Sequence, residues 1–283
     1  MTAATRLTDV ITDHGEGVGW HGAEGAVKCV DLLRGEVVTI AADGAVADRL
    51  RVGAVAAAWR ERVGGGLEVA TERGFALVEP DGSIGWSGEA WAEPDLRMNE
   101  GACDPQGRFY CASMGYDARP GAGTMWRLDP DRSLHRIANG FTIANGLVWS
   151  LDGETAYHVD TPTGRIDGYA FDSVTGRFGR RRTVAEVSGG DPDGMTIDAE
   201  GGLWVALWDG GAVHRYSPDG ELTEVIGVGA RQVTSCAFGG DDLDRLYVTT
   251  SRHGLDNGED PAAGSVFVVE PGVRGVRLSG FGG

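Results

Sequence analysis

The chain has 283 residues, of which 41% are hydrophobic, and its formal net charge is −17. A surface this acidic would repel phosphate backbones and anionic membranes, so neither nucleic acid nor a membrane is an expected partner. The composition also excludes a disordered chain, and 47 glycines against 10 prolines are typical of many short strands joined by tight turns.

The amino-terminal segment and the cysteines indicate where the protein works. Residues 1–17 contain no apolar run of the secretory type, and no later run is long enough to cross a membrane. The four cysteines, Cys29, Cys103, Cys111 and Cys236, form no CxxC pair and are expected to be reduced and buried. We therefore expect a cytoplasmic protein with no obligate protein partner.

One unit of three apolar strands, with a turn of Asp/Gly type after the first strand, recurs along the whole chain. Two fainter copies begin near residues 17 and 54, and four clear copies begin near residues 101, 146, 194 and 235. These starts are roughly 40–50 residues apart, which is the period of β-propeller blades. The runs are rich in Val, Trp, Tyr, Phe and Thr, and no helical periodicity is visible. The sequence predicts an all-β fold, a single six-bladed β-propeller domain over residues 1–283.

The two ends of the chain and the turns carry further expectations. Closure of the ring suggests that residues 6–12 and 276–283 share the last blade. The Asp-x-x-Gly turns that contain Asp104 and Asp198, and Glu200 beside the latter, are expected to lie in water.

In a propeller the first strand of each blade lines the central channel, so residues just before these strands should meet at one end of it. Five of the six copies have an oxygen-bearing side chain at this position: Glu16, Asn99 with Glu100, Asn145, Asp193 and Thr234. The second copy is the exception, because it has Val52 before Gly53. Turn formation explains each residue singly, but it does not require their shared position.

Converging carboxylates repel one another and are costly to bury without a partner, and a bound cation relieves both problems. We therefore predict a metal site in the channel with Glu16, Asn145 and Asp193 as ligands. Oxygen ligands favour Ca²⁺ or Mg²⁺ over Zn²⁺ or Cu²⁺, and three protein ligands leave positions for water and substrate.

Several segments of the sequence resemble a known family. They are residues 15–20 (GEGVGW), 97–101 (RMNEG) with 104–109 (DPQGRF), 143–152 (IANGLVWSLD), 192–205 (PDGMTIDAEGGLWV) and 234–255. With these motifs in order over nearly the whole chain, the sequence is identified as a member of the senescence marker protein/gluconolactonase family, which includes regucalcin and bacterial sugar lactonases. Val18 and Gly19 depart from the Pro and Val that the family often has there.

The resemblance implies hydrolysis of sugar lactones to aldonic acids with one divalent metal ion. Ca²⁺ is the first expectation, with Mg²⁺, Mn²⁺, Zn²⁺ or Fe²⁺ as alternatives. By position, the resemblance makes Glu16, Asn145 and Asp193 the metal ligands and gives Asp193 the role of general base. It assigns substrate contacts to Arg97, Asn99 and Glu100.

The loop of residues 115–123 looks shorter than its counterpart in regucalcin-like members, so its role as a lid is an open question. Its Tyr116, Asp117 and Arg119 lie either over the site or in solvent. His14, beside Glu16, is expected to have a surface or core role.

The favoured function is a metal-dependent lactonase acting on a small sugar lactone, in which Asp193 takes a proton from water. One alternative is another metal-dependent lactonase, esterase or phosphotriesterase-like hydrolase with the same ligands. Another is a non-enzymatic Ca²⁺-binding propeller, which would not need the Arg97–Asn99–Glu100 segment. No GxSxG elbow is present, which disfavours a serine hydrolase.

Overall fold

In a computed structural model that describes residues 2–283, short strands follow one another along the chain and form six sheets. Two very short strands come first, β1 (Thr2–Ala3) and β2 (Thr5–Arg6). The first blade contains β3 (Gly15–His21), β4 (Ala26–Asp31), β5 (Glu36–Ile40) and β6 (Val46–Arg51). The second contains β7 (Ala56–Glu61), β8 (Leu67–Thr71), β9 (Gly74–Val78) and β10 (Ile84–Glu89). The third contains β11 (Leu96–Cys103), β12 (Phe109–Gly115), β13 (Gly123–Leu128) and β14 (Leu134–Phe141).

The remaining three blades repeat this pattern. The fourth contains β15 (Ala144–Trp149), β16 (Thr155–Asp160), β17 (Arg165–Asp172) and β18 (Arg177–Glu186). The fifth contains β19 (Asp191–Ile197), β20 (Leu203–Trp208), β21 (Ala212–Tyr216) and β22 (Leu222–Gly227). The sixth contains β23 (Val233–Gly239), β24 (Arg245–Thr250) and β25 (Val266–Val269). Two 3-10 turns, Leu32–Arg34 and Thr161–Thr163, are the described helical segments. None of the helical segments within residues 2–283 has the length and apolar character of a membrane span.

The first strand of each blade lies at the centre of the ring. Successive inner strands contact one another around the ring, from β3 through β7, β11, β15, β19 and β23 back to β3. Aromatic side chains fill the spaces between neighbouring blades; the Phe75 and Phe109 ring centroids, from the second and third blades, are 5.4 Å apart. The predicted all-β, six-bladed propeller is therefore confirmed.

The amino-terminal segment closes the ring. β2 pairs antiparallel with β25 and becomes the outer strand of the sixth blade, while β1 extends the fifth blade by pairing in parallel with β22. The expectation that the amino-terminal segment completes the last blade is correct, but the strand that does so is Thr5–Arg6 rather than residues 6–12.

The carboxy-terminal tail does not join the last blade, and that expectation is wrong. With β2 in place the sixth blade already has four strands, so the tail crosses the end of the channel that lies opposite the starts of the inner strands. There Gly275 bridges to Asp198, and Phe281 bridges to Arg62. Phe281 is fully buried and packs into the core between the second and third blades. The tail therefore crosses the turns of several blades at this end of the channel.

The aspartates of the Asp-x-x-Gly turns are buried, contrary to expectation. Asp198 is fully buried and accepts hydrogen bonds from Trp204 Nε1 at 2.8 Å and Arg215 Nε at 2.7 Å. Asp104 is equally buried and accepts a bond from the Tyr110 hydroxyl at 3.2 Å. Each carboxylate also accepts backbone N–H bonds from its own turn, so its burial is compensated. Glu200 is solvent-exposed, as expected.

Every inner strand contains a β-bulge at the same height in the ring. The pairing register shifts between Glu16 and Gly19, Ala56 and Ala58, Met98 and Glu100, Ala144 and Leu147, Pro192 and Met195, and Val233 and Ser235. A bulge bends its strand and redirects a side chain, and bulges are common beside active sites. The polar residues singled out in the sequence therefore lie within the inner strands, at or beside the bulges, rather than before them. In the second blade this position belongs to Ala57, not Val52, and it is also apolar.

Glycines beside the bulges allow neighbouring inner strands to approach closely. A Cβ on Gly146 would lie 2.6 Å from the Cβ of Met195, and one on Gly194 would lie 2.7 Å from Ser235 Oγ. Any larger residue would force these strands apart, so glycine after Asn145 and Asp193 is a requirement of packing at the centre of the ring.

Candidate active site

The predicted site residues lie at one end of the channel. Glu16 is on β3, Arg97, Asn99 and Glu100 are on β11, Asn145 is on β15, and Asp193 is on β19. All are buried or nearly so; Glu16, Arg97, Asn99, Asn145 and Asp193 are 4–8% exposed. The bulges thus bring residues from four blades to one place.

Three carboxyl groups share this place, and each has a raised pKa. Burial raises the pKa of Glu16 well above its usual value, and the charge of Glu100 raises it further. For Asp193, burial raises the pKa most, and the charges of Glu16 and Glu100 raise it further. Burial raises the pKa of Glu100 to about 7 against the opposing charge of Arg60. The arrangement therefore disfavours three ionised carboxylates unless a cation lies among them.

Two carboxylate oxygens are left without a partner. Asp193 Oδ1 and Glu100 Oε2 are buried and accept no hydrogen bond from residues 2–283. Buried polar atoms are rarely left unsatisfied, and a hard divalent cation bound by oxygen ligands would satisfy such atoms. The donor chemistry of the residues present therefore fits a divalent metal.

The structure does not itself establish a metal centre. Within residues 2–283, no three His, Cys, Asp or Glu side chains are grouped so that they could hold a metal ion. The predicted ligand set contains only two such residues, Glu16 and Asp193, together with the amide of Asn145. The metal site in the channel stays a prediction.

A chain of hydrogen bonds connects three blades at the site. Arg97 Nη1 donates to Asn99 Oδ1 at 2.6 Å, and Asn99 Nδ2 donates to Asn145 Oδ1 at 2.8 Å. Asn145 Nδ2 donates to Thr161 Oγ1, and the Thr161 hydroxyl donates to the Pro192 carbonyl, both at 2.8 Å. Because each group donates to the next, the chain fixes the orientation of both amides. The last link holds the backbone directly before Asp193.

Aromatic residues that the sequence did not single out surround His14 at the rim. His14 Nδ1 is 2.7 Å from Ser251 Oγ, and its ring centroid lies 5.9 Å from that of Trp208 and 5.4 Å from that of His253. Burial, with the charge of Arg97 next in importance, lowers the pKa of His14 to about 3. His14 is therefore a buried, neutral side chain at the rim of the site.

Trp208 and His253 differ in the signal that they carry in the sequence. Trp208 ends β20 and pairs with Asp191 at the start of β19, and His253 follows β24, whose last residue, Thr250, pairs with Val233. The ends of second strands therefore meet the same end of the channel as the starts of inner strands. Aligning the repeat copies at that second position would have found Trp208 and its sixth-blade equivalent Ser251, which contacts His14, but not His253, which lies two residues farther along the chain.

The loop of residues 115–123 reaches the site through one side chain. The Arg97 guanidinium lies 5.9 Å from the centroid of the Tyr116 ring, and the Tyr116 hydroxyl donates to Glu72 Oε1 at 2.6 Å. Arg119 instead forms ion pairs with Asp95 and Asp117, all with largely exposed side chains. Of the three loop residues, only Tyr116 contacts a predicted site residue.

Comparisons with known proteins agree with the fold and identify the family. The sequence profile of a family described as SMP-30/gluconolactonase/LRE-like region matches residues 14–252. Regucalcin of Gallus gallus is 32% identical over 289 residues, which cover 95% of each chain. The crystal structure of regucalcin from Agrobacterium tumefaciens, described as a calcium-binding protein, is 28% identical and superposes with a TM-score of 0.93 over 99% of this chain and 97% of that one. A luciferin-regenerating enzyme, also 28% identical, superposes with a TM-score of 0.87 over 96% of both chains.

Proposed function

The chain belongs to the SMP-30/gluconolactonase/LRE-like family, and on this premise we propose that it is a metal-dependent hydrolase that opens sugar lactones to aldonic acids. The observation that carries the proposal is the pair of buried, unpartnered oxygens, Asp193 Oδ1 and Glu100 Oε2, beside the hydrogen-bonded Arg97 and Asn99. Oxygens left free of protein partners in a site with a buried guanidinium suit a metal ion and a polar substrate.

Glu16, Asn145 and Asp193 would hold the metal ion. All three offer oxygen atoms, and two carry negative charge, which suits Ca²⁺ first and leaves Mg²⁺, Mn²⁺, Zn²⁺ and Fe²⁺ as alternatives. The description of the Agrobacterium relative as calcium-binding also supports Ca²⁺ as the first candidate. When bound, a divalent ion would polarise the lactone carbonyl and make a nearby water more acidic.

Asp193 is the proposed general base. Its carboxylate takes a proton from the water whose oxygen bonds to the lactone carbonyl carbon, and it returns that proton to the ring oxygen when the acyl C–O bond breaks. Lactone and water together give one hydroxy acid, so atoms and protons balance. The free Oδ1 of Asp193 leaves one oxygen available for this transfer.

Arg97, Asn99 and Glu100 are the proposed substrate contacts. Among residues 2–283 the Arg97 guanidinium donates through Nη1 only, to Met98 O and Asn99 Oδ1. Its Nε and Nη2 groups are therefore left for substrate oxygens, to which a guanidinium can donate two parallel bonds. His14, Trp208 and Tyr116 provide aromatic surface against which the C–H face of a sugar ring would pack.

The setting of the reaction is part of the proposal. We propose that the protein acts on small molecules in the cytoplasm, as a single domain and without an obligate protein partner. Four buried free thiols and a net charge of −17 support this setting, because the first suits a reducing compartment and the second disfavours polyanionic partners.

Acid release from a panel of lactones tests the function. Purified protein is assayed on D-glucono-1,5-lactone, a pentonolactone series, an aryl ester and a phosphotriester, with a chelator and after addition of each divalent metal. We expect lactone hydrolysis that the chelator abolishes and one metal restores. Preferential hydrolysis of the phosphotriester or the aryl ester would instead indicate another hydrolase of the same scaffold. Calcium binding without hydrolysis of any substrate would indicate a binding protein and contradict the proposal.

A further inference from the structure

Beyond the candidate active site, the channel continues as a cavity of about 250 Å³. Residues from all six inner strands line it; Glu100 lies at the end nearest the site, and residues 276–279 of the tail lie at the other end. Leu151, which also lines the cavity, is 55% exposed, so the cavity meets solvent near the tail end. The tail therefore partly closes this cavity, the lower chamber, whose other end is bounded by Glu100.

Arg60, on β7, presents an uncompensated positive charge to this chamber. Its Nη1 donates to the Trp59 carbonyl at 2.6 Å, and in the part of the chain that the structure describes it forms no ion pair. Protein surrounds the guanidinium so closely that burial lowers its pKa, yet the side chain is partly accessible because it borders the cavity. A buried charge without an ion pair is unfavourable, so a compensating group is expected.

Glu100 does not provide this compensation directly. Its carboxylate influences Arg60 at a distance, but Oε2 remains without a partner and the two groups form no ion pair within residues 2–283. The charge of Glu100 also acts on Glu16 and Asp193, so Glu100 is shared between the lower chamber and the candidate site. The chamber thus has a guanidinium without an ion-pair partner on its wall and a carboxylate at the end nearest the candidate site.

The other polar groups in the chamber suit a small anion. The hydroxyl-bearing residues Ser150, Thr196, Ser235 and Ser279 line the walls, and Arg277 lies on the tail side. A volume of about 250 Å³ equals that of roughly eight waters, enough for a small ion with part of its hydration shell. The charge of Glu100 would disfavour a divalent anion in so small a space.

We propose that this lower chamber is a binding site for a small monovalent anion, such as a halide, nitrate or formate, held by Arg60. The anion accepts N–H bonds from the guanidinium and neutralises its charge within the channel. It enters between the tail and the adjoining blade turns. The competing possibility is a chamber filled with water alone.

Bromide is a suitable probe, because anomalous scattering locates it directly. Crystals of the full chain, prepared with calcium, are soaked in sodium bromide. We expect an anomalous peak within hydrogen-bonding distance of the Arg60 guanidinium in the wild type. The peak should be lost in Arg60→Met and kept in Arg60→Lys, which preserves the charge. Arg180→Met, at an exposed position on β18, is the control for loss of one surface arginine.

A titration in solution provides the second readout. The thermal unfolding midpoint is measured as a function of bromide concentration. A sulfonate that is too bulky for the chamber makes up the remaining salt, so that the ionic strength stays constant. We expect the midpoint to rise with bromide in the wild type and in Arg180→Met. In Arg60→Met the apparent bromide dissociation constant should increase roughly tenfold or more, because hydrogen bonds to a charged group are lost.

Two results would overturn the proposal. One is a wild-type crystal with bromide at surface arginines but none within reach of Arg60, which would mean that the chamber holds only water. The other is an equal bromide dependence of the midpoint in the wild type and Arg60→Met, which would place the ion elsewhere. The wild-type diffraction result remains decisive even if Arg60→Met does not fold. Neither readout requires a lactone, so a failure of the anion-site proposal can be distinguished from a failure of the proposed lactone hydrolysis.

Discussion

Asp193 combines two features that rarely occur together in a structural aspartate. It is almost fully buried, and one of its oxygens has no hydrogen-bond partner within residues 2–283. Asp198, five residues later, is buried with all its acceptor positions engaged. Burial is therefore common to the proposed base and to a structural carboxylate, and the two differ in the state of their hydrogen bonds.

Replacing Asp193 by Asn should remove most lactonase turnover. The amide keeps the shape of the side chain but cannot accept a proton at neutral pH, and loss of a general base typically costs about 10²–10⁴-fold in rate. The measurement is kcat at a metal concentration that saturates the variant. Glu16→Gln is the matched comparison, and calorimetry should show weaker metal binding for it. Near wild-type turnover of metal-loaded Asp193→Asn would rule out the base assignment.

The residues that the sequence could indicate are those tied to the repeat. Glu16, Asn145 and Asp193 stand at one position of the unit, so aligning the copies of the unit is enough to group them. Thr161 could not be found in this way, because it lies on a 3-10 turn between strands and acts through the amide of Asn145. Contacts made across blades by residues outside the repeated strands leave no periodic signal.

At the scale of elements, the bulge explains why predicted strand starts were displaced from the observed ones. An extra residue interrupts the alternation of apolar and polar side chains, so the inner strands look as if they begin after the bulge. The predicted start of the third blade near residue 101 lies inside β11, which begins at Leu96. In the second blade, whose copy is faint, the same reasoning selected Val52 although Ala57 occupies the bulge.

The buried turn aspartates should matter for stability. Asp198→Asn removes the charge that pairs with Arg215, whose side chain is only 14% exposed. Because breaking a buried ion pair typically costs about 3–5 kcal/mol, we expect the free energy of unfolding to fall by about 3 kcal/mol. Urea unfolding gives the free energy directly. Glu200→Gln is the control, because Glu200 contacts the same guanidinium from an exposed position and should change stability by less than about 0.5 kcal/mol. Equal effects of the two changes would contradict the structural role of Asp198.

The contribution of Asp198 also has a defined pH dependence. Burial raises its pKa, but hydrogen bonds from Arg215 and Trp204 outweigh burial and hold the folded-state pKa below the usual value. The stabilisation is therefore present above the unfolded-state pKa of about 3.9 and is lost as the pH falls through the lower folded-state value. Asp198→Asn should remove this part of the acid sensitivity.

At the scale of the whole molecule, the period of the repeat was sufficient to predict the number of blades. The shared position of the polar residues predicted that five blades meet at one end of the channel; the candidate site takes residues from four of them, and Thr234 of the sixth blade donates to the Gly15 carbonyl instead. The repeat could not predict the path of the tail, because residues 276–283 contain no copy of the unit and their contacts are with turns far away in sequence. That the amino-terminal segment closes the ring could be predicted only because a propeller must close. The two residues of β2 are too few to show a strand pattern in the sequence.

Phe281→Ala should separate stability from activity. The side chain is fully buried between the second and third blades, and removing a buried aromatic ring typically costs about 3–5 kcal/mol. Turnover per folded molecule should remain unchanged, because the site lies at the other end of the channel. Leu222→Ala, at a position that is 48% exposed, is the control, and it should shift the unfolding midpoint little. A loss of turnover in fully folded Phe281→Ala would indicate that the tail communicates with the site.

The bulges hold the candidate ligands on the rigid inner strands, whereas the loop of residues 115–123 and the ends of the second strands surround them. Insertions and deletions in those surrounding segments would change the shape of the pocket without moving Glu16, Asn145 or Asp193. Over evolutionary time such a scaffold can diversify in the molecules it accepts while its central chemistry stays constant. The shape of the pocket and the geometry of the candidate ligands can therefore vary independently of each other.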